Sequence, residues 1–120
     1  MGEKNASDLH LSIGSPPRIR INGDLSPIEG ENLISDQIVK LLQEYISKDK
    51  IQEIDKGHEC DFTIGIPGLS RYRVNAFKQR GNIVATFRRL PFDIPNINNL
   101  GLPDTVLKLT DTRKGLILIT

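Results

Sequence analysis

The chain has 120 residues, 16 Lys+Arg against 15 Asp+Glu, 38% hydrophobic residues and no tryptophan, a length that suits one ordinary domain and falls short of two full ones. No apolar run approaches the roughly 20 residues needed to span a bilayer, and "MGEKNASD" at the N-terminus has no apolar stretch of a signal peptide, so the sequence reads as soluble and cytoplasmic. Cys60 is the single cysteine, which excludes an internal disulfide framework and any cysteine-based zinc site.

"DLHLSI" and "PRIRINGDLSPI" alternate with period two, separated by the turn residues Gly14, Ser15, Pro16 and Pro17, and Asn22-Gly23 marks a second turn. An opening β-meander follows from this. In "SDQIVKLLQEYIS", Ile38, Leu41, Leu42 and Tyr45 recur at helical spacing with Ser35 as the candidate N-cap. A second helix is expected over Lys48 to Lys56, capped by Ser47, with Ile51 and Ile54 facing inward and Gly57 in the left-handed C-terminal position. Period two then returns in "CDFTIGI", "RYRVNAF" and "NIVATFRRL", joined by Pro67-Gly68-Leu69 and by a longer turn around Gln79, Arg80 and Gly81.

Strands, then helices, then strands predict an α+β fold: a PAS-like antiparallel sheet with helices on one face, occupying residues 1–91. "PFDIPNINNLGLP", rich in proline and asparagine, marks an interdomain linker over 92–99. Residues 100–120 read as a short helix followed by "GLILIT", a uniformly apolar strand of the kind buried on both faces of a parallel sheet.

No catalytic constellation emerges. His10 and His58 have no partner at metal-ligand spacing, so no metal site is expected. The carboxylates read as helix-face and turn residues, and Cys60, flanked by Glu59 and Asp61, reads as a near-core thiol. What rises above background is Leu69 to Pro91, which holds Arg71, Arg73, Lys78, Arg80, Arg88 and Arg89 and not one acid. A solvated strand face is the plain account of it. A concentration of arginine, with its planar fork of donors, favours phosphate. Nucleic acid is the weaker target, because the net charge is +1 and Tyr72, Phe77 and Phe87 form no stacking pattern.

"SDLHLSIGSPPRIRINGDL", "DFTIGIPGLSRYRVNAFKQRG", "FRRLP", "LGLP" and "RKGLILIT" together resemble the N-terminal part of the type IV pilus retraction ATPases of the secretion ATPase superfamily, from about Asn5 to Thr120. The resemblance implies a PAS-like domain, a flexible linker and the first helix and strand of an incomplete RecA-like core. The chain stops before the phosphate loop and lacks the usual short leading helix, as a fragment cut at both ends would, and by itself it should not hydrolyse ATP. It further implies, for the parent protein, ATP and Mg as cofactors, a cytoplasmic homo-hexamer at the inner membrane, contacts with the ATPase core of its own and the neighbouring subunit, and association with the pilus machinery. Pilus extension or type II secretion is the alternative within the superfamily. A free-standing anion-binding module is the alternative outside it.

In related hexameric ATPases two arginines of the N-terminal domain reach the phosphates of ATP, and the matching positions look like Arg73 and Arg88. Arg80, in the turn, ranks second, and Arg71 and Arg89 are candidates for a subunit interface. For Arg73 and Arg88 to meet one ligand they must share a face of the sheet. A plain hairpin pairing Phe77 with Ile83 would put them on opposite faces. The expected register is shifted by one residue, through a bulge or a looser turn at Lys78 to Asn82, which brings Arg71, Arg73, Thr86 and Arg88 to one side.

Overall fold

The computed structural model describes residues 1–91 and 96–118. Its elements are β1 (Asp8–Leu11), β2 (Arg18–Ile21), β3 (Asp24–Pro27), α1 (Ser35–Gln43), α2 (Lys48–Asp55), β4 (Cys60–Ile66), β5 (Ser70–Gln79), β6 (Asn82–Leu90) and α3 (Asp104–Thr110), with one 3-10 turn at Ile97–Asn99. The strands form one antiparallel sheet in the order β3-β2-β1-β6-β5-β4. β1 and β6, 70 residues apart along the chain, are neighbours at its centre.

The alternation in each strand sorts its side chains onto two faces. Ile64 of β4, Tyr72, Val74 and Ala76 of β5, and Ile83, Ala85 and Phe87 of β6 point to the inner face. There they form one core with Leu11 and with Ile38, Leu42, Ile46, Ile51 and Ile54 from the helical segment. α1 and α2 lie on one face of the sheet, and the α+β architecture expected from the element order is the one found.

Local chemistry explains the helix ends. Ser47 caps α2 by accepting from the Lys50 amide at 3.4 Å, and Gly57 follows with φ +102°. At α1 the N-cap is Ile34, one residue before the expected Ser35. Its amide is satisfied by Gln37 Oε1 at 3.0 Å, so a glutamine reaching back from the first turn replaces the serine cap.

The β5–β6 hairpin takes the shifted register, with Arg73 opposite Arg88 and Phe77 opposite Val84. The means differ from expectation: no bulge or loose turn is needed. Gln79 pairs with Asn82, and Arg80 and Gly81 alone make the turn, with φ +49° and +83°. Positive φ at both central positions defines the mirror-image type I turn, whose twist matches that of the strands it joins. Asn22-Gly23 turns β2 into β3 in the same way, with φ +49° and +93°.

Beyond the sheet, Phe92 to Pro95 of the expected linker lie outside the described residues, and its end is ordered as the 3-10 turn, in which Asn96 Oδ1 accepts from the Asn98 amide. The expected short helix is α3. The strand expected from Gly115 is not formed through Leu118, and Leu116 and Leu118 are exposed. Ile119 and Thr120 lie outside the described residues.

Candidate functional site

The face of the sheet away from the helices carries polar side chains in an ordered row. Arg20, Asp8, Arg88 and Arg73 stand directly opposite one another across β2, β1, β6 and β5. Asp61 of β4, opposite Asn75, completes the row one step along. Two arginines directly opposed on neighbouring strands repel, and such a pair weakens a sheet unless counter-charge is supplied. Here the acids of the flanking strands supply it.

Asp61 accepts from Arg73 in a forked arrangement: Nε lies 3.1 Å and 3.0 Å from the two carboxylate oxygens, and Nη2 lies 2.6 Å from Oδ2. The pair is solvent-facing, with side chains 64% and 41% exposed. The Arg73 hydrogen bonds hold the Asp61 carboxyl below its ordinary range, and Asp61 in turn raises the Arg73 guanidinium.

Asp8 is held differently. Its side chain is only 7% exposed, with Arg88 Nε at 3.0 Å from Oδ1, Ser7 Oγ donating to Oδ2 at 2.9 Å and Arg20 Nε at 3.6 Å. Burial works to raise the Asp8 pKa, but the hydrogen bonds from Arg88 and Ser7 and the charge of Arg88 outweigh it and keep the group below its ordinary value. Arg88 gives only Nε to this contact, and its side chain remains 70% exposed.

Asp61, Arg73, Asn75, Thr86 and Arg88 line a shallow depression of about 300 Å³. Two guanidinium groups, an amide and a hydroxyl converge on one open hollow. Such a donor set suits the oxygens of an anion of phosphate size. Among the described residues no cluster of three or more His, Cys, Asp or Glu side chains is arranged to hold a metal ion.

The other candidates separate from this pair. Arg71 shares the face, opposite Leu90, and among the described residues its side chain has no hydrogen-bond or ionic partner. Arg80 sits at the hairpin tip, roughly 20 Å along the strand from Arg73 at about 3.3 Å per residue, too far to meet the same phosphate group. Arg89 points to the helix-bearing side, where Nη1 donates to Asn5 Oδ1 at 3.0 Å, and its amide donates to the Ser7 carbonyl at 2.8 Å. Geometry therefore selects Arg88 over Arg89 as the cross-strand companion of Arg73.

Asp8 and Asp61, which composition alone places among the acids of turns and helix faces, stand within the sheet and face the arginines. Their signal was the strand phase: in "DLHL" and "CDFTIGI" each occupies the outward position, beside apolar inward neighbours.

An α+β domain with a solvent-facing arginine pair on this sheet matches the N-terminal region of pilus-motor ATPases and their structural relatives. The solved pilus retraction motor PilT with bound ADP superposes with a TM-score of 0.72 at 39% identity, over 89% of this chain and 32% of that one. The ATPase DotB of Legionella pneumophila also reaches 0.72, at 25% identity, over 94% and 33%.

Among curated relatives, the type IV pilus retraction ATPase PilT of Pseudomonas aeruginosa is 35% identical over 118 residues, 98% of this chain and 34% of the relative. The type IV pilus ATPase PilU of the same organism is 33% identical, over 98% and 31%. No family profile matches the chain. The chain is thus homologous, over nearly its whole length, to PilT and PilU, and spans about one third of their length. Among the described residues no helix is long and apolar enough to cross a membrane.

Proposed function

We propose that the chain is the nucleotide-sensing and subunit-interface domain of a hexameric ATPase that drives type IV pilus retraction, and that Arg73 and Arg88 meet the phosphates of ATP held by the core. The observation that carries the reading is the cross-strand opposition of Arg73 and Arg88 over one open hollow. A phosphate that both guanidinium groups contact ties the domain to the core, so closure of the domain over ATP is favoured while the γ-phosphate is present and is released once it leaves.

In this reading ATP and Mg belong to the parent protein. The sheet acts as a PAS-like sensing domain, and residues 92–99 are the interdomain linker. Residues 100–120 open the RecA-like core, whose partners are the cores of its own and the neighbouring subunit. The assembly is cytoplasmic and peripheral to the inner membrane through the pilus machinery.

The test is ATP turnover by the intact parent carrying Arg73→Ala or Arg88→Ala. Each is expected to lower turnover by about two to three orders of magnitude, the scale of removing one preorganised donor to developing charge, with the unfolding midpoint nearly unchanged. A parent indifferent to both substitutions removes the pair from the nucleotide site. A second reading, a pilus or secretion ATPase other than a retraction motor, draws on the 33% identity to PilU and the DotB superposition. Pilus retraction rescued in a retraction-deficient strain separates the two.

A further inference from the structure

The two carboxylates beside the arginine pair are attached in opposite ways, and we infer that they have opposite effects: Asp8 is a positioning residue that holds Arg88 ready, and Asp61 is a competing carboxylate that Arg73 must release to take up a phosphate. This inference rests on the assignment of Arg73 and Arg88 to a phosphate ligand.

Asp8 is nearly covered and held from three sides, by Ser7 Oγ, Arg20 Nε and Arg88 Nε. It engages Arg88 at Nε alone, and among the described residues neither terminal nitrogen of Arg88 has a partner. A guanidinium pinned at its inner nitrogen keeps its outer donors for a ligand and loses less side-chain freedom when the ligand arrives.

Asp61 takes the opposite part. It accepts from Nε and Nη2 of Arg73 together, the edge that a phosphate would use for a forked pair of hydrogen bonds. Among the described residues it has no other partner, it stands half exposed on the edge strand β4, and it lines the same hollow as both arginines. Among the described residues Arg73 alone holds its carboxylate.

The charge sum agrees. Of the side chains that line the hollow, Arg73 and Arg88 stand against the one carboxylate Asp61, so Asp61 cancels half of the positive charge a ligand would meet. Turning Asp61 aside exposes the Arg73 fork and removes a negative charge from the wall facing the ligand. A phosphate that displaces Asp61 therefore switches the contact of Arg73 from β4 to the nucleotide, which makes the Asp61–Arg73 pair the resting state of the sensor.

The experiment titrates the 120-residue chain with inorganic triphosphate at low salt. Affinity is read from the amide resonances of residues 71–90, and the arginine Nε–H resonances are followed alongside. Asp61→Asn keeps size and one acceptor but removes the charge, and is expected to tighten binding on the order of tenfold, the effect of one unit charge a few ångströms away in a solvent-screened site. Asp8→Asn is expected to weaken binding and to shift the Arg88 Nε–H resonance while that of Arg73 stays in place, a signature that a general loosening of the fold would not produce. Arg73→Ala should abolish the gain from Asp61→Asn.

If triphosphate binds through Arg73 and Asp61→Asn leaves its affinity unchanged, the competing role of Asp61 is overturned while the phosphate assignment stands. If the Asp61→Asn chain does not bind at all, the competing role of Asp61 is overturned, and the phosphate assignment is decided separately by ATP turnover of the parent carrying Arg73→Ala or Arg88→Ala. Because Asp61 is half exposed and remote from the core, its variant folds, and the result does not depend on the survival of Asp8→Asn.

Discussion

Arg80 is an unsuitable residue for the place it occupies, and replacing it tests the account of the hairpin. It sits at φ +49° as the first central residue of a two-residue turn, next to Gly81 at φ +83°. The left-handed region costs an ordinary L-residue about 1–2 kcal/mol, and asparagine tolerates it best among non-glycine residues. The arginine side chain is exposed, and among the described residues the only contact of Arg80 beyond the ladder is its carbonyl accepting from Asn82 Nδ2 at 3.2 Å, which a substitution leaves in place. Arg80→Asn therefore removes strain and loses no described side-chain contact, for a gain of about 0.5–1 kcal/mol. With a urea dependence of about 1–3 kcal/mol per molar for a domain of this size, the midpoint should rise by about 0.2–1 M at constant slope, and Tm by about 2–6 °C. Gly81→Ala is the control: a Cβ there meets no atom within 4 Å, so the backbone penalty alone should destabilise by about 1–2 kcal/mol. Urea melts followed by far-ultraviolet circular dichroism measure both. An Arg80→Asn chain no more stable than the parent, or a neutral Gly81→Ala, would refute the turn assignment and the explanation of register built on it.

Two further outcomes are expected of the same chain. Leu42 is fully buried between α1 and the sheet, and Leu42→Ala should cost about 2–5 kcal/mol in urea unfolding with little change in slope; a loss under 1 kcal/mol would show that α1 is not anchored there. As to pH, the Asp8 pKa is lower in the folded chain than in the unfolded one, so its contribution is complete above about pH 4 and is lost as pH falls through the folded value. His10 is also lowered, chiefly by burial and further by Arg20 and Arg88 against the opposing pull of Asp8, so its share of stability drains as pH falls below about 6.5. Stability should thus decline on acidification in two stages, and Asp8→Asn should flatten the lower one.

Much of the fold can be read locally. Period-two alternation, two helical stripes, the Ser47 cap and the Asn22-Gly23 turn each act over a few residues, and each appears where its own stereochemistry demands. The α+β class follows from their order, because an amphipathic helix and a one-sided sheet have only each other to cover. The same locality explains the small misses. Ser35 yields the cap position to Ile34 because Gln37 reaches back to the free amide, and Gly115 to Leu118 form no strand because an apolar strand needs a neighbour to take its hydrogen bonds.

The sequence by itself therefore determined which residues point inward, where the chain turns, and that a basic stretch free of acids runs through β5 and β6. Only the tertiary structure decided what that stretch faces. Whether Arg73 meets Arg88 or its opposite face depends on a register set by two residues at the hairpin tip, and a one-residue slip would have reversed it. Asp8 and Asp61 lie 80 and 12 residues from the arginines they hold, brought there by β1 pairing with β6 and β4 with β5. Charge is local in the sequence but compensation is not, because opposing charges meet across strands whose neighbours are chosen by the packing of the whole sheet.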